Sequence, residues 1–250
     1  MSFFEALAIL GAGFVAGTVN TIVGSGSLVT FPTLLAFGYA PVTANVSNTV
    51  GLTFGSMSGA VGYRRELRGQ RRRVLLLGSA SFVGGLIGGI LLLTLPSSVF
   101  DAVIPVLILA ACALVIVQPR LSVWVAERRS AHVEHGGPVL YTGILATGVY
   151  GGYFGAAQGV ILLALLGIFI ADDLQRLNGV KNVLALIANG VAAVLFVFST
   201  HVVWEVAALI AVSSIVGGQV GAHVGRRLPE RLLRVCTVII GVIAAISLIA

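Results

Sequence analysis

Apolar residues in this chain come in long unbroken blocks rather than in the narrow stripes of a soluble helix, and short polar loops separate the blocks. They cover approximately residues 4–37, 41–63, 74–95, 99–118, 138–171, 179–199, 204–225 and 233–250. A helix crosses a bilayer with about 20 mostly apolar residues, so most blocks predict one spanning helix each. Blocks 4–37 and 138–171 are too long for one span and too short for two. Each is also interrupted by small and polar residues, VGSGS at 23–27 and YGGYFGAAQG at 150–159, and so predicts a hairpin of two shorter helices. The expected fold is an all-α polytopic membrane protein.

Composition agrees: of 250 residues, 58% are hydrophobic and 10% charged, against about 25% charged in soluble domains. The start of the chain has no basic residue before Glu5 and reads as membrane structure rather than a signal peptide. Self-comparison divides the chain in two. SFVGGLIGG (81–89) resembles SIVGGQVGA (214–222) at an offset of 133 residues, and Leu95-Pro96 falls on Leu228-Pro229 at the same offset. Gly17 and Gly24 fall on Gly148 and Gly155 at 131, and Val46, Asn48 and Val50 on Val180, Asn182 and Leu184 at 134. The halves are 1–118 and 138–250, joined by a polar linker at 119–137, each half a broken hairpin plus three spanning helices.

Charge then orients the helices. All 15 Lys and Arg lie in four regions, Arg64 to Arg73, Arg120 to Arg129, Arg176 to Lys181, and Arg226 to Arg234. By the positive-inside rule, loops 64–73, 119–137, 172–177 and 226–234 belong in the cytoplasm, and both termini belong outside the inner (plasma) membrane. The net charge of +6 thus reports orientation and implies no nucleic acid. The basic loop 64–73 matches a loop without Lys or Arg, Ser199 to Glu205, in the second half; the uncharged turn Pro96 to Ser98 matches the basic RRLPER at 226–231. Equivalent loops on opposite sides are the mark of two inverted-topology repeats, the plan of secondary transporters whose broken helices meet at a midplane site.

The segment 16–66, with Asn20, the G-x-G of Gly24 and Gly26, Pro32-x-Leu34, Gly38 and Ala44 to Thr49, resembles the sulfite exporter TauE/SafE family of membrane transporters. TGVYGGYFGAAQG and the helix bearing NGVKN extend the resemblance over nearly the whole chain. The resemblance implies movement of small anions: sulfite, organosulfonates, or related sulfur-containing or carboxylate anions. In one departure, the second break has neither a second G-x-G nor a proline matching Pro32.

Backbone at membrane depth can leave the helix only where protein or a water-lined cavity satisfies it. Gly24, Ser25, Gly26 and Ser27 are therefore expected to face inward, with free N–H groups and hydroxyls directed at an oxyanion. Small residues that only pack helices are the competing reading. Asn45, Ser47, Asn48 and Thr49 cluster early in the second block, and Asn178, Lys181 and Asn182 are their repeat counterparts. Two roles are open to Lys181: an anion partner at depth, or a side chain snorkelling to the surface. Asn20, Tyr153 and Gln158 complete the candidate substrate-binding set, with Tyr150 as a further polar group.

Other features read as structural. Gly55/Gly59, Gly84/Gly88, Gly85/Gly89 and Gly217/Gly221 are G-x-x-x-G pairs for close helix contact, and Cys112 and Cys236 are packing residues. The Arg64–Arg73 loop suits anionic lipid, and a homodimer is compatible with the pattern. His132, His135 and His201 have no partners at ligand spacing, so neither metal nor cofactor is expected. An intramembrane enzyme would want a deep nucleophile and base, which the pattern does not offer. An anion channel with a continuous pore is the nearer alternative.

Overall fold

The computed structural model describes residues 1–127, 137–224 and 230–249. The predicted linker stretch 128–136, with His132 and His135, and the basic stretch 225–229 lie outside the described residues.

Block 4–37 forms α1 (Phe3–Ile22) and α2 (Ser27–Ala36). Ser2 and Glu5 start α1 as a reciprocal capping box, and the chain leaves it at Gly24, whose φ of 88° suits a residue without a side chain. Pro41 opens α3 (Pro41–Gly62) at the position where its missing N–H costs nothing. α4 (Arg71–Thr94) and α5 (Ser97–Glu127) complete the first half, and α5 carries Pro105 and Pro119 inside it. The second half repeats the order: α6 (Gly137–Tyr153), α7 (Gln158–Phe169), α8 (Leu174–Ser199), α9 (Trp204–Val224) and α10 (Glu230–Ile249).

Among the described residues, α1, α4, α5, α8 and α9 have windows of 20 to 26 residues apolar enough to cross a membrane, about 30 Å or more of helix. With 10 and 12 residues, α2 and α7 reach only about half that distance. They are half-helices, as the overlong apolar blocks predict. Large apolar side chains such as Phe198, Val106 and Leu75 stand exposed on the outside, where lipid rather than water meets them.

Lipid offers no hydrophobic drive between helices, so small residues let backbones touch. A Cβ on Gly17 would fall 2.4 Å from Ser214 O, one on Gly55 2.7 Å from Ser214 Cβ, and one on Gly217 2.1 Å from Phe14 O. These contacts bind α9 to α1 and α3. On the other side, a Cβ on Gly84 would meet Leu145 O at 2.3 Å, one on Gly88 would meet Val149 O at 2.1 Å, and one on Gly85 would meet Ala188 O at 2.5 Å, binding α4 to α6 and α8. The G-x-x-x-G pairs are therefore packing surfaces.

The same contacts fix direction. Gly51, Gly55 and Gly62 of α3 meet Ile210, Ser214 and Ala222 of α9 in rising order, as Gly13, Gly17 and Thr18 of α1 meet Ser213, Ser214 and Gly217. α1, α3 and α9 therefore run parallel. Gly84 and Gly88 of α4 meet Gly148 and Val149 of α6 in rising order, and Gly85 and Gly89 meet Ala188 and Ala192 of α8. α3 and α8 cross antiparallel, with Tyr63 beside Gly179 at one end and Ser47 bonded to Val203 at the other. The set α1/α3/α9 thus runs against the set α4/α6/α8, and the two half-helix hairpins point at each other.

Candidate functional site

The first break is made by backbone groups that change partners. Val23 and Gly24 both donate to Val19 O, and the next amides to find an acceptor are Leu28, to Ser25 O, and Val29, to Gly26 O. The N–H groups of Ser25, Gly26 and Ser27 have no partner among the described residues. Ser25 is buried, and its Oγ also lacks a partner. The residues thus place free donors at the start of α2, where the helix dipole is positive.

The second break uses different residues. Phe154 and Gly155 donate to Tyr150 O, Gly155 has φ 76° and Ala157 φ 58°, and the Tyr150 hydroxyl closes the loop by donating to Ala156 O. The two breaks touch. Gly159 N–H donates to Gly24 O at 3.1 Å, and a Cβ on Gly24 would fall 2.4 Å from Gly159 Cα. Phe31 of α2 and Phe154 pack edge to face beside this junction at 5.3 Å.

Side chains from α3 and α8 hold the broken ends. Asn48 is fully buried; its Nδ2 donates to Ser27 Oγ at 3.3 Å and its Oδ1 accepts from the Thr30 hydroxyl. Asn45 Nδ2 donates to Tyr153 O, the end of α6, at 3.0 Å. Lys181 Nζ donates to Asn20 O at 3.3 Å and to Thr21 O at 3.1 Å, and Asn178 and Asn182 donate to the same Thr21 O at 3.4 and 3.3 Å. Lys181 is 1% exposed, so of the two roles open to it the snorkelling one is excluded: the ammonium turns inward to the end of α1.

A small cavity of about 10 Å³ lies at the junction, lined by Asn20, Ser27, Thr49, Gln158 and Asn189 with Gly155 and Gly159. It has room for about one water. The structure therefore gathers Asn20, Ser27, Thr49 and Gln158 around one point, joins Gly24, Ser25 and Gly26 to them through the break, and sets Asn45, Asn48, Tyr153, Asn178, Lys181 and Asn182 in a surrounding layer that holds the helix ends. Ser47 stands apart, since its Oγ accepts from Val203 N–H at 3.0 Å in the turn before α9. Buried amide oxygens of Asn45, Gln158 and Asn178 have no donor, so the junction offers acceptors as well as donors.

Four participants escape a reading of the sequence. Asn189 lines the cavity and lies seven residues beyond Asn182, two helical turns along one face, so its periodicity signals it. Thr21 acts through its carbonyl, which no side-chain pattern announces. Ser56 accepts from Asn20 Nδ2 at 3.0 Å, and Tyr63 OH accepts from Asn178 Nδ2 at 2.8 Å; both sit inside stretches that read as packing or loop.

Tyr63 leads to a second cluster at the α3–α4 and α7–α8 loops. Arg73 and Arg176 both donate to Asp172, at 2.7 and 2.9 Å, and Gln70 Nε2 donates to Arg176 O at 3.2 Å. Burial raises the Asp172 carboxyl, but the hydrogen bonds from Arg73 and the Asp173 amide, with the charges of Arg176 and Arg73, outweigh it and hold the group below its ordinary range.

Long apolar helices around two touching helix breaks define a polytopic membrane protein of the transporter class. The chain belongs to the sulfite exporter TauE/SafE family, whose model matches residues 9–248. It is 26% identical over 227 residues to a probable membrane transporter protein of Haemophilus influenzae, covering 91% of this chain and 88% of that one. It is also 26% identical to the probable membrane transporter protein ORF9 of a Sinorhizobium species, over 96% and 90% of the two chains, and 24% identical to the probable membrane transporter protein YfcA of Escherichia coli K12, over 94% and 86%. No solved structure matches the chain.

Proposed function

We propose that this membrane transporter is a secondary carrier of small anions, namely sulfite, organosulfonates or related sulfur-containing or carboxylate anions, and that the anion binds where the two breaks meet. The observation that carries this reading is the group of free N–H donors at Ser25, Gly26 and Ser27, with the unpartnered Ser25 hydroxyl buried beside them. Such a nest at a helix N-terminus favours negative charge, and the sulfite in the family's description is of that class. Ser27 lines the cavity at the junction together with Asn20, Thr49 and Gln158, and these three complete the site. At about 10 Å³ it is too small for a sulfur oxyanion, so the tips separate to admit one. That favours alternating access over a standing pore.

The architecture in this reading is two inverted-topology repeats, 1–118 and 138–250, joined through 119–137, with the basic loops cytoplasmic and both termini outside. The opposed run of α1/α3/α9 and α4/α6/α8 supports it, as does the exchange of packing partners between the halves: α4 lies on α6 and α8, and α9 on α1 and α3.

The test is flux in proteoliposomes against a panel of sulfite, sulfonates and carboxylates, with and without a pH gradient. A carrier gives saturable uptake and counterflow, and the pair Ser25→Ala with Ser27→Ala lowers kcat/KM about tenfold or more, the scale of one or two lost buried hydrogen bonds. Conductance without counterflow would replace the carrier by a pore. Flux unchanged in the double variant would remove the site.

A further inference from the structure

Helix α1 ends with carbonyls that have no backbone donor, because the amides of Val23 and Gly24 both turn back to Val19 O and leave Asn20 O and Thr21 O behind. These oxygens carry the negative end of the helix dipole at the junction of the breaks. In broken-helix transporters this is the kind of place, an unwound carbonyl at a half-helix C-terminus, where a sodium ion is held. Here a side chain reaches it. Lys181 Nζ lies 3.3 Å from Asn20 O and 3.1 Å from Thr21 O, with the Asn178 and Asn182 amides donating to Thr21 O as well.

We propose that the Lys181 ammonium is a tethered cation standing where an alkali cation would otherwise coordinate the end of α1, so that this break takes up no sodium ion of its own. The corresponding end of α6 is built differently. Tyr153 O accepts from the neutral Asn45 amide, and the residue 134 positions before Lys181 is Ser47, engaged with Val203. The charge is thus placed at one break only. Lys181 is on this view a positioning residue: it holds the α1 end in register with the free amides of Ser25 to Ser27, while the anion meets those amides.

The inference takes the breaks as the working site, as proposed above, but its test needs no transported anion. Melting temperatures of purified wild type, Lys181→Ala and Lys181→Met are measured in choline chloride, sodium chloride and n-propylammonium chloride. Wild type is expected to melt alike in all three. Lys181→Ala melts lower in choline and recovers by roughly 4 °C with saturating sodium or propylammonium, because truncation opens space for a free cation. Lys181→Met fills the space without charge, so it melts lower and recovers in neither salt. If Lys181→Ala is obtained folded only with propylammonium present, that recovery is the expected result in another form. Sodium dependence of wild type, identical melting of Lys181→Ala in every salt, failure to obtain it folded in any of them, or wild-type stability of Lys181→Met would each overturn the proposal. Intact cation responses with no anion flux would strike only the anion reading.

Discussion

Gly24 and Gly38 hold nearly the same backbone conformation, φ 88° and 84°, in very different surroundings. A Cβ on Gly38 meets nothing within 4 Å, whereas one on Gly24 would collide with the backbone of Gly159. Gly38→Ala should therefore cost only the left-handed penalty, about 1–2 kcal/mol. Gly24→Ala should add an overpacking cost of about 1–3 kcal/mol and force the breaks apart. Melting in detergent checks the stabilities, and uptake checks the rest: Gly38→Ala keeps transport and Gly24→Ala loses it. Equal behaviour of the two would mean that the Gly24–Gly159 contact has no consequence. At this scale the sequence is informative about where polar residues cluster and poor about what they touch. The clustering of Asn45, Ser47, Asn48 and Thr49 is plain in the chain, but a helix turns 100° per residue. Neighbours therefore part company: Asn45 goes to α6, Ser47 to the turn before α9, Asn48 to α2 and Thr49 to the cavity. Lys181 shows the same limit, since its long stem can reach the surface or the interior, and only the position of the broken end of α1 decides.

Helices are more legible than contacts, because apolar length is a direct physical requirement of the bilayer. Both hairpins follow from blocks too long for one span. The end of α5 does not: Pro119 reads as a boundary, yet the helix continues through it to Glu127. Loops between helices carry a prediction of their own. The Arg73–Asp172–Arg176 cluster ties the α3–α4 connection to the start of α8; next to Arg176, Gln175 Oε1 accepts from the Tyr63 hydroxyl, and Tyr63 and Asn178 continue to Thr21 O at the first break. Asp172 has a lowered pKa, so its stabilisation is present above the ordinary carboxylate range near pH ~4 and fades only as pH falls through the lowered value. Asp172→Asn removes the negative charge shared by the two arginines and one of the two acceptor oxygens, leaving the guanidinium groups facing each other without a counter-charge. It should lower stability by about 1 kcal/mol at neutral pH, as for a partly exposed pair, and the difference from wild type should vanish once pH has fallen below the lowered value of Asp172. A thermal melt followed across pH measures both. A difference that persists into strong acid would assign the loss to packing rather than charge. Between pH 5 and 8 this cluster should contribute no pH dependence to transport.

The arrangement of the whole molecule rests on helix direction, and direction is open to experiment. α3 has 22 residues, about 33 Å, and α8 crosses it antiparallel, so the loop after α3 and the turn after α8 should emerge on opposite faces of the membrane. Offsets of 131 to 134 residues and the unequal placement of arginines already imply this arrangement in the sequence. The chain alone does not reveal that each half packs chiefly on the other, because the glycines of α4 and α9 look alike whichever helix they meet. In a Cys112→Ala, Cys236→Ala background, single cysteines at Arg68 and Thr200, both exposed, are labelled with a membrane-impermeant maleimide in intact cells and in inverted vesicles. Arg68 is chosen over Gly69, whose φ of 80° would strain any side chain. Arg68→Cys should react only in inverted vesicles and Thr200→Cys only in intact cells. Labelling of both from one face would break the antiparallel α3/α8 pair and with it the inverted repeat. The two broken hairpins would then enter from the same side, and the meeting of Gly24 with Gly159 could not serve as a gate between two aqueous compartments.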